Sequence, residues 1–112
     1  MSRQWQIWVT VLDWWDGDSA HCVADLGCRV FIGSREHPVM LRSGRINTPE
    51  LSTGKPGRDA RDYANTIAPP GEYPAVSTGL DNYGRPLIDL VLRDGRLFSE
   101  AMLAAKQAVL YR

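Results

Sequence analysis

Over residues 4–12 the apolar side chains Trp5, Ile7, Val9 and Val11 alternate with Gln4, Gln6, Trp8 and Thr10, the period-two signature of a strand with one buried face. Asp16-Gly17-Asp18 then predicts a tight turn, its glycine relieving the backbone between crowded acids, and residues 19–25 resume as a second strand. Leu26-Gly27 can be drawn two ways. It is a bulge in one long strand running through Cys28, Val30 and Ile32 to a turn at 33–37, or it is itself the hairpin turn. The first drawing sets Cys22 and Cys28 roughly 20 Å apart along the strand. The second could bring them face to face across a ladder. The first is preferred, because Val39 needs a neighbour to return to and Gly33-Ser34 followed by charged residues is the more polar turn.

Val39 and Leu41 open a third strand that runs to Ile46, and Pro49, with no N–H for a ladder, ends it at Asn47 or Thr48. Residues 50–57 are turn-rich and expected to be mobile. Ala60, Tyr63, Ala64 and Ile67 fall at helical spacing, predicting a helix over 58–67 closed by Pro69-Pro70. Residues 72–78 form a short strand whose Pro74 suggests a sheet edge, and 86–92 a strong one. Asp94-Gly95 turns the chain into a second helix, 99–107, with Ser99 as its N-cap. Three strands, a helix, two strands and a helix are the plan of an OB-fold, a mainly β, five-stranded Greek-key barrel with two or three helices.

The chain has 112 residues, enough for one core and one domain, and its 13 basic and 13 acidic residues cancel. No global positive field therefore advertises a nucleic-acid partner, and any anion binding must be local. No secretory pattern opens the chain and no run of about 18 apolar residues occurs, so a soluble, cytoplasmic protein with no membrane partner is expected. Two cysteines are too few for a disulfide scaffold or a zinc site, and free core thiols are expected.

The candidate chemistry gathers where the third strand ends. Residues 41–50 carry Arg42 in the strand and Asn47, Thr48 and Glu50 just beyond it. Oxygen donors crowded at a strand end suit a hard cation such as calcium, and a neighbouring arginine suits a phosphate. The plainer alternatives are a polar turn, with Arg42 in a structural salt bridge to Glu50. Trp14-Trp15 could stack on a base, or one could pack into the barrel and the other lie at its rim.

Three separated segments together resemble the staphylococcal nuclease-like (thermonuclease) domains. They are Asp16-Gly17-Asp18-Ser19, similar to an Asp-Gly-Asp-Thr turn; Arg42 with Ile46-Asn47-Thr48-Pro49-Glu50; and Asp81-Asn82-Tyr83-Gly84-Arg85, similar to an Asp-x-Tyr-Gly-Arg loop. The likeness covers nearly the whole chain, in order. It implies a calcium-dependent phosphodiesterase cutting DNA and/or RNA as a monomer, with magnesium or manganese as alternative ions. Asp18, Asn47 and the Thr48 carbonyl would hold the ion, and Asp16 would add negative field. Glu50 would hold the attacking water, Arg42 and Arg85 would grip the phosphate, and Tyr83 and Tyr111 would contact substrate. The small size would suit an intracellular or phage-encoded enzyme.

Three residues depart from the pattern. Asn47 stands where an aspartate is usual, which removes one formal charge and moves the expected calcium affinity toward roughly millimolar. Arg45 replaces a small or apolar residue. Lys106 falls where a helix-ending glycine is common, and a left-handed lysine would cost on the order of 1 kcal/mol, so the helix is expected to run further. The rival reading is an OB-fold module that has lost catalysis and binds nucleic acid or a protein.

Overall fold

The computed structural model describes residues 5–110, with the side chains of Trp5 and Thr78 left aside. Strand β1 (Trp5–Asp16) turns through Gly17 and Asp18 into β2 (Ser19–Asp25), and the two pair antiparallel from Trp8↔Asp25 to Asp16↔Ser19. Next come β3 (Phe31–Ile32), β4 (Val39–Arg42) and β5 (Ile46–Asn47), then helix α1 (Lys55–Ile67). Strands β6 (Gly71–Leu80) and β7 (Pro86–Leu90), helix α2 (Phe98–Ala104) and β8 (Val109–Leu110) complete the chain. The pairing order β1-β6-β7-β4-β2, with β2 returning to β1, closes a five-stranded barrel. Its closing pair, β4 with β7, is parallel at Arg42↔Leu87 while the other seams are antiparallel, which is the OB-type arrangement.

Alternation fills the barrel. Ile7, Val9 and Val11 of β1, Ala20, Cys22 and Ala24 of β2, and Ile88 and Leu90 of β7 are buried and packed in one core. Trp14 closes one end: its ring stacks on Phe98 of α2 at 4.8 Å, and its indole N–H donates to the Ala68 carbonyl at 2.8 Å. One indole thus ties the barrel to both helices. Among the described residues no helix is long and apolar enough to cross a membrane.

Several boundaries differ from the expected ones. The preferred drawing of one long strand through Ile32 fails: Asp25↔Phe31 and Ala24↔Ile32 pair, so the hairpin turn lies at residues 26–30. Its geometry depends on Cys28 and Arg29 at φ 54° and 64°, a left-handed conformation that neither residue advertises. The cysteines do not face each other even so. Cys22 is a buried core thiol opposite Val39, whereas Cys28 is free and exposed in the turn rather than in the core.

Strand β4 stops at Arg42 and not at residue 47, because its partner β2 begins at Ser19; the Ser43 N–H makes one further bond, to the Asp18 carbonyl at 2.8 Å. The chain then peels away, and Ile46–Asn47 forms its own short ladder with Val109–Leu110. Residues 51–57 are not simply a loop: Leu51–Thr53 is a 3-10 turn and α1 already begins at Lys55, with Pro56 in its first turn.

Pro74 is not on an edge, since β6 pairs with both β1 and β7. Its carbonyl accepts from Val91 N–H at 2.8 Å, past the last β6–β7 pair, and its nitrogen faces the same side, so the missing donor falls where the ladder runs out.

Ser99 is not the N-cap of α2. Leu97 holds that position, Glu100 Oε1 accepts the Leu97 N–H at 3.3 Å, and Ser99 turns inward to Asp89 of β7. Nor does α2 run on past Lys106: Lys106 N–H bonds to Leu103 O and Gln107 N–H to Met102 O, both at 3.0 Å, with Lys106 at φ 58°. That is a Schellman stop built on lysine instead of glycine.

Candidate functional site

Two close approaches bring the acidic turn, the loop after β4 and α1 together. Gly17 does not need a left-handed backbone; it needs the absence of a side chain, because a Cβ there would lie 2.9 Å from Ala60 Cβ and 2.9 Å from Thr48 Oγ1. Gly57 on α1 is tighter still, its hypothetical Cβ falling 2.0 Å from the Glu50 carbonyl oxygen. The helix backbone is therefore pressed directly against Glu50. Opposite, the loop between β6 and β7 is wound around Asp81, which accepts the N–H groups of Tyr83 and Arg85, both at 2.8 Å, and Arg85 Nε at 2.6 Å.

These supports leave one polar concavity of about 510 Å³, lined by Asp16, Asp18, Ser19, Arg42, Asn47, Thr48, Glu50 and Arg85. Seven of the nine residues singled out from the sequence thus meet at one place. Tyr83 is 85% exposed on the adjoining rim, with the Arg85 guanidinium 5.5 Å from its ring centre. Tyr111 lies outside the described residues. Sequence reading missed Ser19 as a wall residue, although its place next to Asp18 signalled it.

Arg42 is the hub. Its Nη1 pairs with Asp18 Oδ2 at 2.9 Å and its Nη2 donates to Asn47 Oδ1 at 2.5 Å, so it bridges the turn and the loop instead of pairing with Glu50. Asp18 also accepts Thr48 N–H at 3.1 Å and the Ser19 hydroxyl at 3.2 Å. Burial alone would raise the Asp18 carboxyl, but hydrogen bonds from Asp16 and Arg42, the Arg42 charge and the Thr48 N–H hold it below its ordinary range. Asp16 goes the other way: burial first, then the hydrogen bond and charge of Asp18, push it up to about 6. Asp81 is held low by its N–H donors and Arg85 although burial opposes this, which keeps it charged as the anchor of Arg85.

The donor set suits a hard cation, though sparsely. Two neighbouring carboxylates, Asp16 and Asp18, share the concavity with Asn47 and Thr48, whose amide and backbone oxygens are further hard donors. Thr48 Oγ1 is buried beside it with no hydrogen-bond partner among the described residues. Among the described residues, however, no cluster of three or more His, Cys, Asp or Glu side chains could enclose an ion, and Glu50 is exposed at the rim. An ion there would find only this sparse set of oxygens and would be weakly held. Arg45 does not reach into this concavity; it lies 3.9 Å from Asp89 Oδ2 and 3.4 Å from Ser99 Oγ, on the other side of Gly44.

No family model matches the chain, and no curated protein matches it significantly.

Proposed function

We propose that this chain is a divalent-cation-dependent phosphodiesterase of the staphylococcal nuclease type, hydrolysing DNA or RNA. The observation that supports this most is the meeting of Asp16, Asp18, Glu50, Arg42 and Arg85, drawn from four separate segments, around one polar concavity. A phosphodiester attacked by water gathers negative charge on its non-bridging oxygens, and guanidiniums fixed around it stabilise that charge without reorganising. Asp18 fixes Arg42 and Asp81 fixes Arg85 by Nε, which leaves both terminal nitrogens of Arg85 without a protein hydrogen bond among the described residues. Those nitrogens would take two phosphate oxygens together.

Glu50, exposed at the rim, would accept a proton from the attacking water as the water oxygen bonds to phosphorus and the bond to the leaving oxygen breaks, that oxygen taking up a proton from solvent. Asp18, Asn47 Oδ1 and the Thr48 carbonyl would hold calcium, or magnesium or manganese, and that ion would supply Lewis-acid charge stabilisation at the phosphate. Arg42 must release part of its grip on Asp18 and Asn47 for both to serve the ion.

That competition favours a second reading, a binding module that has kept the phosphate grip and lost turnover. One assay separates them: purified protein with single-stranded DNA and RNA plus calcium, magnesium or manganese, beside an EDTA control and Arg42→Ala. Cutting that vanishes in both controls supports the hydrolase. Cutting that survives either control overturns the mechanism, and its absence at millimolar metal leaves the binding module.

A further inference from the structure

The two consecutive tryptophans have opposite fates, and only one serves the fold. Trp14 is 7% exposed and its ring and N–H are both engaged in the core, whereas Trp15 is 59% exposed. Trp15 is the extra residue of a β-bulge: Trp14 pairs with Ala20 and Asp16 with Ser19, leaving Trp15 unpaired between them. A bulge re-aims a side chain, and this one stands one residue before a wall of the candidate site. Its ring meets His21 edge-on at 6.4 Å, and His21 Nδ1 lies 2.6 Å from Asp13 Oδ1, so the indole has a fixed neighbour on an open surface.

His21 shares a face of β2 with Ser19, and its partner Met40 shares a face of β4 with Arg42, whose own partner is Ser19. Trp15 and His21 therefore continue the outer surface on which Arg42 stands, two residue pairs further along, about 7 Å at strand spacing.

We infer that Trp15, braced by His21, is a stacking platform for one unpaired base of a nucleic-acid strand whose phosphate lies at Arg42 and Arg85. The inference rests on the phosphodiesterase reading for the location of the phosphate, and it names the substrate form: single-stranded, read without regard to base identity, because every base offers a π face. A duplex keeps its bases stacked on each other and offers none to Trp15.

The test is binding in EDTA, read by fluorescence anisotropy of a labelled oligothymidylate, an abasic oligomer of equal length and a duplex. Trp15→Ala should weaken oligothymidylate binding roughly 5- to 150-fold, the range that base–aromatic stacking carries, and Trp15→Phe should restore most of it. The abasic oligomer should bind wild type and Trp15→Ala alike, with the same salt dependence, because the phosphate contacts are intact. Equal losses on both oligomers, or no loss on either, would overturn the platform while leaving the hydrolase reading standing. Wild-type protein that binds no oligomer at all would remove both.

Discussion

Replacing Gly57 by alanine should damage the candidate site from behind. A methyl group on α1 would sit 2.0 Å from the Glu50 carbonyl oxygen, 2.6 Å from its carbon and 2.8 Å from Leu51 Cα. Backbone cannot swing aside as a flexible side chain can, so the loop must retreat by about 1 Å or more. That retreat strains the two bonds the same carbonyl accepts, from Thr53 N–H at 3.0 Å and Thr53 Oγ1 at 2.6 Å.

Overpacking of this kind costs about 1–3 kcal/mol and the weakened bonds about 1 kcal/mol more, against about 1 kcal/mol gained from replacing glycine in a helix. The expected net loss is about 1–3 kcal/mol, or roughly 4–12 °C in Tm for a chain of this length. A shift of about 1 Å in Glu50 should lower turnover by roughly 100-fold, with oligonucleotide binding, carried by Arg42 and Arg85, close to wild type. Thermal melts, single-turnover hydrolysis and anisotropy measure the three quantities. A variant that melts higher, as helix propensity alone demands, and cuts at the wild-type rate would refute the idea that this contact sets Glu50.

Asn47→Asp adds a charge beside Asp18 and should tighten calcium binding about ten-fold or more and raise hydrolysis; calorimetry showing unchanged affinity would mean the residue does not face the ion. Lys106→Gly removes the left-handed strain at the end of α2 and should stabilise by about 1 kcal/mol, near 4 °C in Tm, with no change in cutting. Asp16 gives a pH dependence of definite sign. Its folded value of about 6 lies above the ordinary 3.8, so its contribution is full below 3.8 and is lost as pH rises through 6. Because Asp16 is only partly buried, solvent screening reduces that loss to about 1–2 kcal/mol. Asp16→Asn should flatten the fall in Tm between pH 4.5 and 8 in EDTA, and an unchanged slope would assign it to other groups.

The barrel was legible because Ile7, Val9 and Val11 along β1 and Ala20, Cys22 and Ala24 along β2 alternate inward, a pattern that survives any detail of turn geometry. What escaped was set by contacts between distant segments. Gly57 reads as loop punctuation in sequence, yet it lies inside a helix because Glu50 needs the room. Ser99 reads as a cap, yet Asp89 draws in both its N–H, at 3.0 Å, and its hydroxyl, at 2.6 Å. Cys28 and Arg29 carry no mark of a left-handed turn. For the site, residue types and order located the wall residues, but that Arg42 would span Asp18 and Asn47 was visible only once β2, β4 and the loop lay side by side.

The parallel seam between β4 and β7 has a bearing on when the concavity takes shape. Arg42 comes from one side of that seam and Arg85 enters just before the other, so a nascent chain halted before Pro86 carries every lining residue of the concavity yet lacks the β7 strand that pairs with β4 at Arg42. The concavity takes its full shape only with the last stitch of the cylinder, and fraying at that seam should loosen it before the molecule is visibly unfolded.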